Sequence, residues 1–272
     1  IINADQAIFN KENNILKFLK NIKVKDNFNS INFNSDEIIY EKNKDLFKII
    51  GKSRTNIKDK YFIDSKNVFY DRLKMEIFSE DLIEMQSILG TKISGKDLKF
   101  LINDNIVKGK NLTILDSKNN QYFLEDGIID LNKDEFIGKD IEINFENSLF
   151  GNKENDPRFV GKALNTNKKQ TNIYKGVFTT CKKRDDEECP AWAIYADEIE
   201  HQKEKQIINY KNAWLKIYDV PVIYFPKFHH PDPTVKRQSG FLFPMIKSSS
   251  LNGQSLQIPY FKVIDDNKDL TI

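Results

Sequence analysis

Residues 212–244 read NAWLKIYDVPVIYFPKFHHPDPTVKRQSGFLFP, and the build of this stretch decides how the rest of the chain is read. Pro221, Pro226, Pro231 and Pro233 punctuate it and Pro244 closes it. Proline fixes φ, donates no hydrogen bond, and pushes the residue before it toward extended geometry. The stretch therefore predicts extended, aromatic-lined backbone with rigid corners, and neither a helix nor a central strand along its length. N-terminal to it lie short alternating segments with no catalytic signature. C-terminal to it, residues 239–246 and 256–264 read as the first strands of something longer.

Working outward toward the N-terminus, one motif recurs: ADQAIFN from Ala4, SDEIIYE from Ser35 and SKNVFYD from Ser65. The offsets are 35 − 4 = 31 and 65 − 35 = 30. The segment ILKFL from Ile15 returns as LFKII from Leu46 at the same offset of 31. Each unit thus holds about two strands and two polar turns. A period of this size marks a stacked repeat in which one unit cannot bury its apolar face alone. Residues 79–89, SEDLIEMQSIL, fit either a helix capped by Ser79 or one more strand and turn. From residue 95 to 150 strand-like segments continue, and Ile141, Ile143 and Phe145 alternate with Glu142 and Asn144 as in a half-buried strand. Residues 151–157 read as a loop. The fold class is all-β. An open stack of short strands wound into a roll has an apolar interior that either packs as a core or holds acyl chains.

Composition excludes several function classes. With 42 basic and 40 acidic residues the net charge is +2, which offers no concentrated basic face for nucleic acid. The 20 Phe and 10 Tyr favour strands. No apolar run reaches the roughly 18 residues of a membrane helix, whereas a membrane strand gives a much weaker signal. The chain starts at Ile1 with no secretory leader in this piece. Cys181 and Cys189 are 189 − 181 = 8 apart, which is no zinc spacing; they are free thiols or a local disulfide closing a polar loop. His201, His229 and His230 add no recognised ligand spacing, so no metal or cofactor is expected. G-x-S-x-G, H-E-x-x-H and P-loop patterns are missing, and no catalytic group or enzyme activity is expected. His201 reads as a solvated turn residue, and Asp219 and Asp232 as turn residues beside proline. Lys236 and Arg237 suit either phosphates or plain solvent.

The wording of 212–244, together with CPAWAIYAD from Cys189, IPYF from Ile258 and NKDLT from Asn267, resembles the LptD (OstA) family of LPS-assembly proteins. The likeness is specific from about residue 179 to 272, and rests on the repeat pattern alone before that. It implies a repeat-built β-jellyroll of the OstA/LptA type over residues 1–217. Residues 218–272 would form a proline-rich hinge and the first strands of an outer-membrane β-barrel. It implies a cell outer membrane location with the jellyroll in the periplasm, and lipopolysaccharide as the cargo. An LptA-like periplasmic bridge protein and an LptE-like lipoprotein plug would be partners. Acyl chains would lie in the jellyroll interior, for which Ile2, Ala4, Ile8, Phe18, Phe33, Ile38, Tyr40, Ile49, Phe69 and Ile77 are the candidates. Pro221, Pro226, Pro231, Pro233, Pro244 and Pro259 would form a hinge and a lateral gate, because Pro244 and Pro259 each delete a ladder donor from neighbouring strands. An oxidising periplasm favours a bridge between Cys181 and Cys189, while cysteines near here in relatives also tie the periplasmic domain to the barrel's far end.

Two other readings fit the residues less well: a soluble periplasmic lipid-shuttle bridge, and a structural or adhesive β-repeat protein. The proline-rich junction and the SGFLFP segment from Ser239 argue against both.

Overall fold

Four-residue polar turns at a fixed period turn the repeat into a meander of hairpins. In the computed structural model the described residues are 1–146, 156–182, 190–232, 235, 237–242, 245–249, 253–265 and 267–272. A left-handed residue ends the turn at Asn14, Asp45, Met75, Asn105 and Asp134, one every 29–31 residues (45 − 14 = 31; 134 − 105 = 29). These turns stack by backbone hydrogen bonds: Lys42 N donates to Asn14 O, Arg72 N to Asp45 O, Ile102 N to Met75 O and Leu131 N to Asn105 O, at 2.9–3.1 Å. The period seen in the sequence is therefore the pitch of a hydrogen-bonded stack.

Among the described residues, 17 strands form one antiparallel sheet. β1 (Ile2–Asn3) and β2 (Gln6–Asn10) both pair with β3 (Ile15–Asp26). The chain then meanders through β4 (Ile31–Glu41), β5 (Leu46–Ile57) and β6 (Tyr61–Asp71). β7 (Glu76–Ser79) and β8 (Ile83–Ser87) are two halves of one broken strand between β6 and β9 (Lys92–Leu101). Residues 79–89 thus hold strand and turn, and the helical option is not realised. β10 (Ile106–Leu115), β11 (Gln121–Asp130), β12 (Glu135–Asn144), β13 (Arg158–Thr166), β14 (Gln170–Thr179), β15 (Trp192–Gln202) and β16 (Ile207–Ile217) continue in neighbour-to-neighbour order. β17 (Val220–Pro231) is the last.

Most strands bend in the middle, which rolls the sheet into two facing walls. In β11 the inward residues are Tyr122, Leu124, Gly127 and Ile129; in β14 they are Thr171, Ile173, Gly176 and Phe178. The spacing of two becomes three where two exposed residues mark the corner. A left-handed residue sits there at Asn67, Asp97, Asn111, Asp140, Lys175 and Asn212, as in a β-bulge that re-aims a strand. The inner side of the corner is lined by small residues. Ser35, Ser53 and Ser79 are buried there in the first strands. Gly109, Gly127, Gly138, Gly161 and Gly176 follow, and side chains of the facing wall occupy the space a Cβ would need: Leu112 over Gly109 and Gly127, Leu124 over Gly138, Ile173 over Gly161 and Ile199 over Gly176.

The expected boundary at 217 falls at the β16–β17 turn. β17 pairs with β16 from Ile217↔Val220 to Ile207↔Pro231. Pro221, Pro226 and Pro231 therefore belong to the sheet and not to a hinge beyond it, as a correction of that expectation. Among the described residues β17 pairs only with β16, which makes it an edge strand, the place in a sheet where proline is tolerated. Farther on, β18 (Gly240–Phe241) faces β21 (Tyr260–Asp265), which also pairs β22 (Lys268–Thr271), and β19 (Met245–Ser249) pairs β20 (Gly253–Gln257). Segments 239–246 and 256–264 are thus antiparallel partners, as expected. Pro259 lies between β20 and β21, and its carbonyl accepts from Leu242 N at 2.8 Å. No described helix is long and apolar enough to cross a membrane, which says nothing about strands that do so.

Candidate functional site

Opposite the corner, the two walls end in two lips of turns. The first lip carries the turns after β4, β6, β9, β11, β13 and β15; the second carries those after β3, β5, β8, β10 and β16. How the lips meet changes along the roll.

Over β3–β7 the lips are clasped. Asp26 and Asn29 of the second lip meet Tyr70 and Arg72 of the first. Tyr70 Oη donates to Asp26 Oδ2 at 3.1 Å, Asn29 Nδ2 donates to Tyr70 Oη at 3.2 Å, and Arg72 Nε donates to Asp26 Oδ2 at 3.1 Å. Arg72 also reaches Asp45 at 3.5 Å. Burial pushes the Asp26 carboxyl up, but the Asn29 and Tyr70 hydrogen bonds and the Arg72 charge outweigh it and hold its pKa below the usual value. Under the clasp, Phe33, Phe47 and Tyr70 pack edge-on and stacked with centroids 5.6–6.1 Å apart, and Tyr40 stacks on Phe47 at 4.4 Å.

From the β5–β6 turn to the end of β17 a cavity of about 840 Å³ separates the lips. Tyr122, Phe136, Ile143, Phe159, Phe178 and Ile208 line its floor. Its rim is charged: Asp116 and Lys118 on the second lip, Asp134 and Lys203 on the first. Lys203 donates to Thr166 Oγ1 at 3.1 Å and Asn167 O at 2.7 Å, and burial lowers its ammonium pKa against the pull of Asp134 and Asp116. Such a volume falls in the range of about 300–1,000 Å³ typical of ligand sites. Apolar floor and charged rim together suit a molecule with a greasy end and a polar end. Among the described residues no group of His, Cys, Asp and Glu is arranged to hold a metal ion.

None of the ten residues put forward for the interior lines this cavity. Phe18, Phe33, Ile38, Ile49 and Ile77 are buried in the core, and Ile2, Ala4 and Tyr40 pack against it. Ile8 and Phe69 are on the wrong face: Ile8 is 55% exposed opposite Lys17, and Phe69 stacks outside on Phe78 with centroids 5.0 Å apart. Their outward row runs Ile8, Lys17, Ile39, Lys48, Phe69, Phe78, Lys99, so lysine stems cover the apolar members.

His201 and Asp232 also differ from expectation. They are not solvated turn residues but a pair, His201 Nε2 to Asp232 Oδ2 at 2.5 Å, with both side chains nearly buried. Asp219 instead bridges Lys216 at 2.8 Å on the other lip. His230 sits between Tyr210, whose hydroxyl is 2.8 Å from Nε2, and Phe178. Burial lowers its pKa. The Cys181 thiol is half-buried, 3.7 Å from Trp192 O. Cys189, Pro233, Lys236 and Pro244 lie outside the described residues, so the disulfide and half of the gate stay expectations.

No family model matches the chain. Among curated proteins it is similar to the LPS-assembly protein LptD of Yersinia pestis bv. Antiqua (strain Antiqua), 37% identical over 109 residues, covering 40% of this chain and 13% of that protein. It is similar also to LptD of Idiomarina loihiensis, 31% over 126 residues, covering 46% of this chain and 16% of that protein. LptD of Legionella pneumophila (strain Lens) is 37% identical over 100 residues, covering 37% of this chain and 11% of that protein. The matched stretches span less than a fifth of those relatives. A repeat-built all-β roll together with these matches makes the chain LptD-like.

Proposed function

We propose that this chain acts in the assembly of lipopolysaccharide at the outer membrane, as a lipid-carrying roll and not as an enzyme. The observation that carries the reading is the cavity between the unclasped lips, apolar below and charged at the rim. Acyl chains lie on Tyr122, Ile143, Phe159 and Phe178, and the sugar leaves between Lys118 and Lys203 into water. Apolar burial at about 25 cal/mol per Å² holds the chains without covalent chemistry. The names of the similar proteins support the cargo.

In this reading the roll ends at Pro231 and lies in the periplasm, with the strands after residue 239 at the outer membrane. β2, fully exposed at its sheet edge, accepts an LptA-like bridge by strand addition. The pair of segments joined at Gly240↔Phe261 begins a barrel that an LptE-like plug fills, and Pro244 with Pro259 weakens the seam through which lipid leaves.

A photo-crosslinking residue placed at Ile143 or Phe159 in the full-length protein tests the reading in cells. Ultraviolet-dependent adducts carrying lipopolysaccharide are expected at both. Their absence at both, with the protein folded and located in the outer membrane, overturns it.

A further inference from the structure

The clasp over β3–β7 lies across the path that a two-ended lipid would take. A molecule with its chains inside the roll and its head in water occupies the gap between the lips at every point of its travel. Where Tyr70 and Arg72 bond to Asp26, that gap is bridged. Below the bridge, Phe33, Phe47, Tyr40 and Tyr70 fill the interior with stacked rings. Beyond it, the cavity begins.

We propose that Asp26, Tyr70 and Arg72 form a gate that closes the first part of the roll to a headed lipid and parts to let one move along it. The proposal rests on the lipid-carrying reading above. The bridge is suited to reversible opening. Its carboxylate is shared among Asn29 and Arg72, which approach from turns, and Tyr70, which approaches from the end of β6, and Arg72 keeps a second carboxylate, Asp45, on its own lip. On parting, Arg72 therefore keeps an anionic partner, and Asp26 keeps the Asn29 amide at 2.7 Å. Neither charge is stranded in the apolar interior, where an unpaired ion is costly. The ring cluster yields in the same movement, because Tyr70 belongs both to the bridge and to the stack on Phe47.

The test compares lipopolysaccharide adducts at two photo-crosslinking positions in the full-length protein in cells: Tyr40, under the clasp, and Ile143, in the cavity. Arg72→Gln removes the cross-lip charge. Tyr70→Phe removes one hydroxyl while keeping the ring, so it guards against loss of the fold. With the native clasp, the adduct at Ile143 is expected to exceed that at Tyr40. Both variants are expected to raise the Tyr40 adduct several-fold while the Ile143 adduct stays. Equal adducts at the two positions with the native clasp, or a Tyr40 adduct that neither variant moves, overturn the gate and leave the cavity reading standing. No adduct at Ile143 overturns the cavity reading itself, and the gate with it.

Discussion

The first strands of the roll and the later ones share a hairpin pitch and a bent strand, yet they end as different objects. β3–β7 is a filled and clasped unit; β8–β17 is a unit with a mouth. The difference begins at the corner. In the first part the small corner residues are serines, whose hydroxyls bond back to the backbone, Ser35 Oγ to Ile50 O at 3.0 Å and Ser53 Oγ to Ser65 O at 3.3 Å. In the later part they are glycines, and Leu112, Leu124, Ile173 and Ile199 from the opposite wall fill the space. Large side chains committed to the corner are not available at the mouth. In the first part the rings of Phe33, Phe47 and Tyr70 sit toward the mouth and are roofed by the clasp.

The corner of the open part should be the most sensitive place in the molecule. A Cβ on Gly127 would lie 2.7 Å from Leu112 Cδ1 and 2.9 Å from Leu124 Cδ1. Gly127→Ala is therefore expected to cost roughly 1–3 kcal/mol by overpacking, whereas Ser53→Ala at the corresponding place in the clasped part should cost about 1 kcal/mol. Urea unfolding of both variants checks the ordering. If Leu112→Ala makes Gly127→Ala tolerable, the contact across the corner is the cause. Equal costs at the two corners would erase the proposed contrast.

Next in size is the clasp. A carboxyl whose pKa is held down in the folded state contributes stability above its unfolded value, and loses it as pH falls through the folded one. Asp26 is such a group. Asp26→Asn is expected to cost about 1–2 kcal/mol at neutral pH, given the partly exposed Arg72. The cost should shrink as pH falls below the ordinary carboxylate range and through the lowered folded value, where both chains come to carry a neutral group. Chemical denaturation at neutral and at acid pH reads this directly. A cost that persists in acid would assign it to packing and not to the bridge.

Much of the contrast was legible in the sequence and part of it was not. The repeat from Ala4, Ser35 and Ser65 reports the hairpin pitch because each turn needs the same left-handed residue and polar cap. The strands of 95–145 were legible for the same reason. Which face is inward was not. AIFN, IIYE and VFYD each carry three consecutive apolar residues, so alternation has no polar partner to fix its phase. The outward member of each triplet, Ile8, Ile39 or Phe69, is covered by lysine stems and rings instead of by the core. The corner also shifts the inward register by one residue in most strands. A signal for it was present: Gly109, Gly127 and Gly138, or a pair of exposed polar residues such as Lys139 and Asp140, in mid-strand. The clasp had no such signal, because Asp26 and Arg72 are 46 residues apart and meet only once the sheet is rolled. The prolines of 221–231 looked like a hinge because proline excludes a central strand, and β17 is an edge.

Near the end of the open part, His230 gives a smaller, pH-dependent effect of the opposite chemical kind. Its pKa is lowered by burial, so the unfolded chain takes up a proton that the folded one refuses. Stability should then fall as pH drops through about 6.5, the ordinary histidine value. His230→Phe, which keeps a ring against Phe178 and Tyr210, should flatten the decline between pH 7.5 and 5.5 in thermal unfolding. An unchanged slope would assign the decline to a group other than His230.

The smallest expected effect belongs to the clasped part, and it has the opposite sign. Thr55 is 1% exposed between Phe33 and Ile63, and its hydroxyl has no hydrogen-bond partner. A buried hydroxyl without a partner is unfavourable, and valine has nearly the same shape. Thr55→Val should therefore stabilise the roll by up to about 1 kcal/mol. If the first part is filled and closed, the gain appears in full and is the same at any lipid concentration. If it opens so that water reaches Thr55, the hydroxyl is already satisfied in part, and the gain shrinks when Arg72→Gln unlatches the lips. Denaturation of the single and double variants separates the two cases, since a loss of the gain on unlatching locates the water path at the clasp.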